Sequence, residues 1–306
     1  MTKEKLYGGI EAGGTKFVCC VASGPGQIVE AVRFSTTTPD ETLRKTVQFF
    51  EPYVSAGQIR TIGVGCFGPL DLNPQSPTYG FITATPKPHW SNADVRGTLQ
   101  RSLNVNVAFD MDVNAAAVGE SIWGASRGCD PSLYLTIGTG VGGGYLLNGK
   151  PVVGLLNLEM GHIRLPHNRE LDPFNGSCPF HGDCFEGLAA GPAIEKRLGV
   201  MGAIVPENDP FWNIEADYIA LALTNFILTL SPEKIILGGG VMQRDFLFPK
   251  VRNRVLELLN GYVSSKSLLD HIDEYIVPPG LGNQSGSMGA IALAMQLEES
   301  MNDPRL

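Results

Sequence analysis

Leu6-Tyr7-Gly8-Gly9-Ile10-Glu11-Ala12-Gly13-Gly14-Thr15-Lys16-Phe17-Val18-Cys19-Cys20-Val21-Ala22 sets the pattern of this chain. Leu6 to Ala12 reads as a strand, Gly13 to Lys16 as a tight turn, and Phe17 to Ala22 as the returning strand of a hairpin. The unit comes back with Ser132 to Ile137 as the strand, Gly138-Thr139-Gly140-Val141-Gly142-Gly143 as the turn and Gly144 to Leu147 as the return. A supersecondary unit repeated about 125 residues later predicts a duplicated α/β fold, with two related domains and a central cleft between them as the natural site. The expected domains are residues 1–117 and 118–306, with the last helix free to pack back on the first.

Around these hairpins the chain alternates strands and helices. A third strand, Ile28 to Phe34, follows the Ser23-Gly24-Pro25-Gly26 turn. Thr38 then caps a helix that reaches Val54, with Pro39 in its first position and Glu41 closing a capping box. Thr61 to Cys66 is a buried strand, and the loop from Phe67 to Trp90 carries five prolines and no periodicity, as binding loops often do. A helix from Asp94 and a strand from Val105 to Phe109 lead to Asp110-Met111-Asp112-Val113-Asn114 and a small-residue helix. In the second half, helices are expected at Leu188 to Leu198 and Ile214 to Leu230. The strand Lys234 to Leu237 should end at Gly238-Gly239-Gly240, before a helical region from Val241 to Leu259. Glu274 to Val277 reads as a strand and Gly286 to Glu299 as the final helix.

At 306 residues, 43% of them hydrophobic, the chain has material for two cores. A net charge of -8 and no Lys/Arg cluster argue against a nucleic-acid partner, whose phosphates need a basic face. With no long apolar run and no apolar signal segment, the reading is a protein without a membrane partner, located in the cytoplasm. Six cysteines in a chain this long do not make a disulfide framework; Cys19, Cys20, Cys66 and Cys129 read as core or near-core thiols.

The other two cysteines belong to a different pattern. Cys178, His181 and Cys184 recur every third residue in a loop of Gly, Pro and Asp, and His162 supplies a fourth N/S ligand, enough to close a tetrahedral zinc shell. Free thiols beside a loop histidine are the plainer alternative, but an apolar core cannot account for sulfurs in such a loop. A closed shell is structural, so the zinc would hold Glu159 and Glu186, which bracket the cluster, facing one substrate pocket. In the two hairpin turns glycine N–H groups can converge on phosphate oxygens, the Thr15 and Thr139 hydroxyls can add donors, and Lys16 can add a cation. Either turn alone is more often a plain hairpin. Together with the strand–glycine–helix geometry at Gly238 they point to a nucleoside triphosphate, although no Walker A sequence is present. Asp112, between a strand and a helix, suits a base that accepts a hydroxyl proton, or else a helix N-cap. A calcium loop is excluded there, because Ser121 stands where such a loop needs glutamate.

Taken together, Ile10 to Lys16, Asp112-Val113-Asn114-Ala115-Ala116, Gly138 to Gly144, Glu159-Met160-Gly161-His162 and the Cys178 to Glu186 module resemble the ROK sugar kinases, across nearly the whole chain. Cys66-Phe67-Gly68-Pro69, Thr85-Pro86-Lys87-Pro88-His89-Trp90 and the zinc loop are most similar to bacterial fructokinases. The resemblance implies an actin-like (ribonuclease H-like) fold, a homodimer, and ATP-dependent, magnesium-dependent phosphorylation of fructose to fructose 6-phosphate. It makes Asp112 the catalytic base and gives the sugar to Gly68, Asp112, Glu159, His162 and Glu186. It gives the nucleotide to Gly13, Gly14, Thr15, Lys16, Thr139, Gly140, Pro192, Gly238, Gly239 and Gly240, and structural zinc to His162, Cys178, His181 and Cys184. This chain departs from many relatives at Glu11, where they carry Asp, and in having two rather than three zinc-loop cysteines. Met111 and Lys87 replace asparagines, and Met111 removes a sugar-binding amide, which counts against glucose-type recognition. A kinase for mannose, glucose or an N-acyl hexosamine is the alternative of the same class. A non-catalytic sugar sensor is the alternative of another, and a repressor would need a helix-turn-helix segment ahead of Leu6.

Overall fold

β1 (Leu6–Ala12) and β2 (Lys16–Ala22) pair antiparallel from Tyr7 opposite Ala22 to Ala12 opposite Phe17, and the Gly13 N–H donates to the Lys16 carbonyl at 3.0 Å. The computed structural model describes residues 5–24 and 26–302, so Pro25 of the following turn lies outside the described residues. β3 (Ile28–Ser35) extends the meander. Helix α1 (Pro39–Ser55) starts as its sequence dictates: Thr38 Oγ1 accepts from Glu41 N, and Pro39 needs no N–H partner in the first turn. The capping box closes differently. Glu41 binds the Thr37 hydroxyl at 2.7 Å and Lys45 at 2.7 Å. β4 (Ile59–Cys66), the short pair β5 (Phe81–Ile82) and β6 (Ala93–Asp94), α2 (Val95–Leu103), β7 (Asn106–Met111) and α3 (Asp112–Trp123) follow.

The second half repeats this order. β8 (Ser132–Ile137) and β9 (Val141–Leu147) form its hairpin, and β10 (Lys150–Pro151) is the third, short strand. Then come α4 (Phe185–Ala189), α5 (Gly191–Leu198), α6 (Phe211–Leu230), β11 (Lys234–Gly238), α7 (Leu247–Leu259), α8 (Lys266–Leu269), α9 (Ile272–Tyr275), β12 (Ile276–Val277) and α10 (Ser285–Asn302). One five-stranded sheet runs β3-β2-β1-β4-β7 and the other β10-β9-β8-β11-β12. In each, an antiparallel meander is followed by two parallel strands, so the second sheet is the first built again.

The chain divides into two compact units, residues through Gly124 with those from Asn283 onward, and Ala125–Gly282. The first runs past Ala117 because α3 continues to Trp123, and it takes in α10, whose Ile291 packs with Cys20 and Ala22 of β2. Its core includes Phe17, Phe50 and Trp90, each fully buried; burial of side chains of this size contributes about 1.5–3 kcal/mol apiece. Trp90 also donates its indole N–H to the Thr37 carbonyl at 2.7 Å, so the proline-rich loop that ends there is pinned to the domain. The second core gathers Leu133, Leu135 and Ile137 of β8 with Phe185 and with Trp212, Ile219 and Leu223 of α6. Among the described residues no helix is long and apolar enough to cross a membrane.

Three elements differ from the sequence reading. The helix expected over 188–198 is two helices, broken at Ala190, whose extended backbone (φ -68°, ψ 155°) lets Gly191-Pro192 start a new one. The helical region from Val241 is a 3-10 turn, Val241–Gln243, separated from α7 by three residues. Residues 272–275 form a helical turn, leaving Ile276 and Val277 as the strand.

Candidate functional site

In the second unit the backbone folds His162, Cys178, His181 and Cys184 together, with ligand atoms all within 4.8 Å of one another. His162 Nδ1 lies 3.8 Å from Cys178 Sγ and 3.5 Å from Cys184 Sγ, and His181 Nδ1 lies 3.6 Å from Cys178 Sγ. Tetrahedral zinc, with bonds of about 2.0–2.3 Å, separates neighbouring N and S ligands by about 3.5 Å, so these four side chains fit a metal ion of that size. Burial pushes the Cys184 thiol up to about 11, so its thiolate needs a cation beside it. His162 turns Nδ1 to both sulfurs, which leaves Nε2 for another partner.

Charge holds this loop in shape. Asp183, between two of the ligands, accepts from His167 at 3.2 Å and Arg169 at 2.8 Å and pairs with Arg164; His167 first, then Arg164, hold its carboxyl below the usual range. Asp172 is buried, which opposes its charge, but two hydrogen bonds from Arg197 and one from Tyr218 keep its carboxyl below the usual range. Glu186, in the first turn of α4, accepts from Val141 N at 2.9 Å. One of its oxygens is thus committed to the glycine turn between β8 and β9. Glu159 is exposed at the head of the 3-10 turn Met160–His162.

That glycine turn forms one wall of a cavity of about 460 Å³. Of the residues expected to bind a nucleotide, Thr139, Pro192 and Gly240 line it, joined by Gly138. Gly191 N donates to the Gly138 carbonyl at 2.7 Å, which ties α5 and Pro192 to the turn. Gly140, Gly238 and Gly239 are not among the lining residues. Gly239 (φ +89°) instead lets the chain turn against β8, where a Cβ would collide with the Ile137 backbone. Met201, Ala203 and Arg244 also line the cavity and were not legible in the sequence, since they stand in short irregular segments without periodicity.

In the first unit, Met111 is the N-cap of α3 and Asp112 its first helical residue, with Oδ1 accepting from Val113 N at 2.8 Å. Asp110 braces this junction, accepting from Met111 N and Asn114 Nδ2, both at 2.7 Å. Burial raises the Asp110 carboxyl above its usual range, partly offset by those two bonds. The first hairpin turn leaves Thr15 exposed and Gly13, Gly14 and Lys16 half-buried, with the Gly13 carbonyl bound by Thr36 Oγ1 at 2.7 Å. Glu11 accepts from Ser287 Oγ at 3.0 Å, so the head of α10 fixes the carboxylate that precedes the turn. Gly68 lies beneath Met111, and Lys87 is half-buried.

Two sheets in one strand order, each led by a hairpin with a Gly/Thr turn, define the actin-like α/β class. The chain belongs to the ROK family, whose model matches residues 7–297. It is 45% identical over 289 residues to a fructokinase of Pediococcus pentosaceus, covering 94% of this chain and 97% of that protein. A fructokinase of Lactococcus lactis subsp. cremoris is 44% identical over 292 residues, covering 95% and 97%. Among solved structures it is similar to a ROK hexokinase from Thermus thermophilus, with a TM-score of 0.77, 25% identity, and coverage of 96% of this chain and 99% of that one.

Proposed function

We propose that this chain is an ATP-dependent fructokinase, forming fructose 6-phosphate and ADP. The observation that carries the reading is the likeness, over nearly the whole length of each chain, to proteins named fructokinase. In this reading a sugar hydroxyl oxygen attacks the γ-phosphorus, the bond to the ADP oxygen breaks, and the hydroxyl proton passes to Asp112. Gly68, Glu159, His162 and Glu186 hold the sugar. Glu186 uses one oxygen for it while the other keeps the Val141 N–H. Gly13 to Lys16 and Thr139 to Gly140 receive phosphates, and Pro192 with Gly240 receives the adenosine, Gly238 and Gly239 shaping the turn that carries Gly240. Magnesium arriving with ATP neutralises charge on the phosphates.

Zinc is assigned to His162, Cys178, His181 and Cys184, a closed N/S set whose task is to fold the loop and aim His162 Nε2 at the sugar. A homodimer and a cytoplasmic location belong to the same reading, through the resemblance. The test is ADP release with fructose, mannose, glucose, N-acetylglucosamine and N-acetylmannosamine. Fructose far ahead is the expected result; preference for another sugar would overturn the fructose assignment, and no turnover with any would overturn the kinase.

A further inference from the structure

Arg244 stands between the 3-10 turn Val241–Gln243 and α7, with its guanidinium 4.9 Å from the centre of the Trp212 ring. Nη2 donates to the Gly202 carbonyl at 2.6 Å and Nη1 to the Gly240 carbonyl at 3.3 Å. These carbonyls belong to different walls of the 460 Å³ cavity: Gly240 ends the glycine turn after β11, and Gly202 opens the 3-10 turn Gly202–Ile204. One planar cation therefore joins the two segments, a geometry that a guanidinium fork holds better than a single ammonium. The support beneath it is rigid. Trp212 is fully buried, donates its indole N–H to the Pro206 carbonyl at 2.8 Å, and packs edge-on against Phe246 at 5.5 Å.

The Gly202–Ile204 wall is seated at its end by Val205, buried in the core, and by Gly202 against Ile194, and Arg244 adds its side-chain bond to the turn itself. Met201 is 59% and Ile204 65% exposed, and the turn carries two local backbone hydrogen bonds, Ile204 N to Met201 O and Val205 N to Gly202 O. The Met201 and Ala203 side chains, which line the cavity, offer apolar surface with no strong donor or acceptor, suited to the flat face of a base.

We propose that Arg244 is a positioning residue for the nucleotide. By tying the Gly202–Ile204 turn to the Gly238–Gly240 turn it fixes the separation of the walls that receive the base, and so sets nucleotide affinity. Two of its five N–H donors are committed to carbonyls, and in this proposal it acts through shape and not by reading base edges. This rests on the reading of the cavity as the nucleotide site.

The experiment measures KM for ATP, GTP and fructose in Arg244→Met, Arg244→Lys and Ala203→Trp. In Arg244→Met, KM for ATP and for GTP should rise by the same factor, about tenfold or more, with KM for fructose within about twofold; Arg244→Lys should fall between. An unchanged KM for ATP, an equal rise for fructose, or a changed ATP-to-GTP ratio would overturn the proposal. If Arg244→Met does not fold, Arg244→Lys decides alone, with a rise of about threefold or more expected and none contradicting. Ala203→Trp fills the cavity from an exposed position. If it leaves KM for ATP unchanged, the cavity is not the nucleotide site, and that outcome is distinct from a failure of Arg244 alone.

Discussion

Met111 lies so close over Gly68 that a Cβ on Gly68 would stand 2.9 Å from Met111 Cε and 3.0 Å from its Sδ. The residue beside the proposed base and the glycine of the loop after β4 are thus fitted to each other. Met111→Asn restores an amide to that surface, and one hydrogen bond to a sugar hydroxyl gives about tenfold. Its fructose-to-glucose ratio of kcat/KM should fall by about that factor. Gly68→Ala should displace Met111 and raise KM for fructose, which initial rates on both variants will show.

Asp110 and Asn114 brace the junction that carries Asp112, and Asn114 is 5% exposed. Asn114→Ala leaves the half-buried Asp110 carboxylate without the Asn114 donor, at a cost of about 1–3 kcal/mol. Urea denaturation should show that loss. kcat should fall as well, because the first turn of α3 positions Asp112.

Glu215 in α6 is fully buried, and burial pushes its carboxyl well above the usual range. The folded protein keeps this proton at pH values where the unfolded chain has lost it, so the folded state binds more protons. Stability therefore falls as pH rises from the unfolded value of 4.5 toward the folded one. Glu215→Gln removes this term. Its melting temperature should exceed that of the wild type at about pH 8 by more than at about pH 5; equal differences would show that Glu215 is not held neutral.

In the proposed zinc site the metal both folds the loop and places His162, so replacing Cys178 with Ser should lower bound zinc, melting temperature and fructose affinity together. Metal analysis of the purified variant checks the first of these. Wild-type zinc content in it would exclude Cys178 as a ligand.

What could be read from the sequence was local in origin. The hairpins at Gly13 and Gly138 and the cluster at His162, Cys178, His181 and Cys184 follow from short-range spacing, and the structure builds them at those positions. Apolar periodicity merged α4 and α5 into one helix, because it continues across Ala190 while Gly191-Pro192 imposes a restart. Arg244 and the Met201–Ala203 wall were not legible because tertiary contacts decide their role: two backbone carbonyls and a buried indole, each distant in sequence or without a pattern of its own. Asp110 was visible only as a neighbour of Asp112, since an i to i+4 bond across a strand–helix junction leaves no periodic trace.

The central claim is that Asp112 takes the proton from fructose. Its most direct test is kcat with fructose and ATP for the wild type and Asp112→Asn, with fructose binding measured by calorimetry on both. The account predicts a fall in kcat of about a thousandfold, with fructose affinity within a few-fold and circular dichroism unchanged. A variant that binds fructose and keeps kcat within about tenfold of the wild type would contradict it.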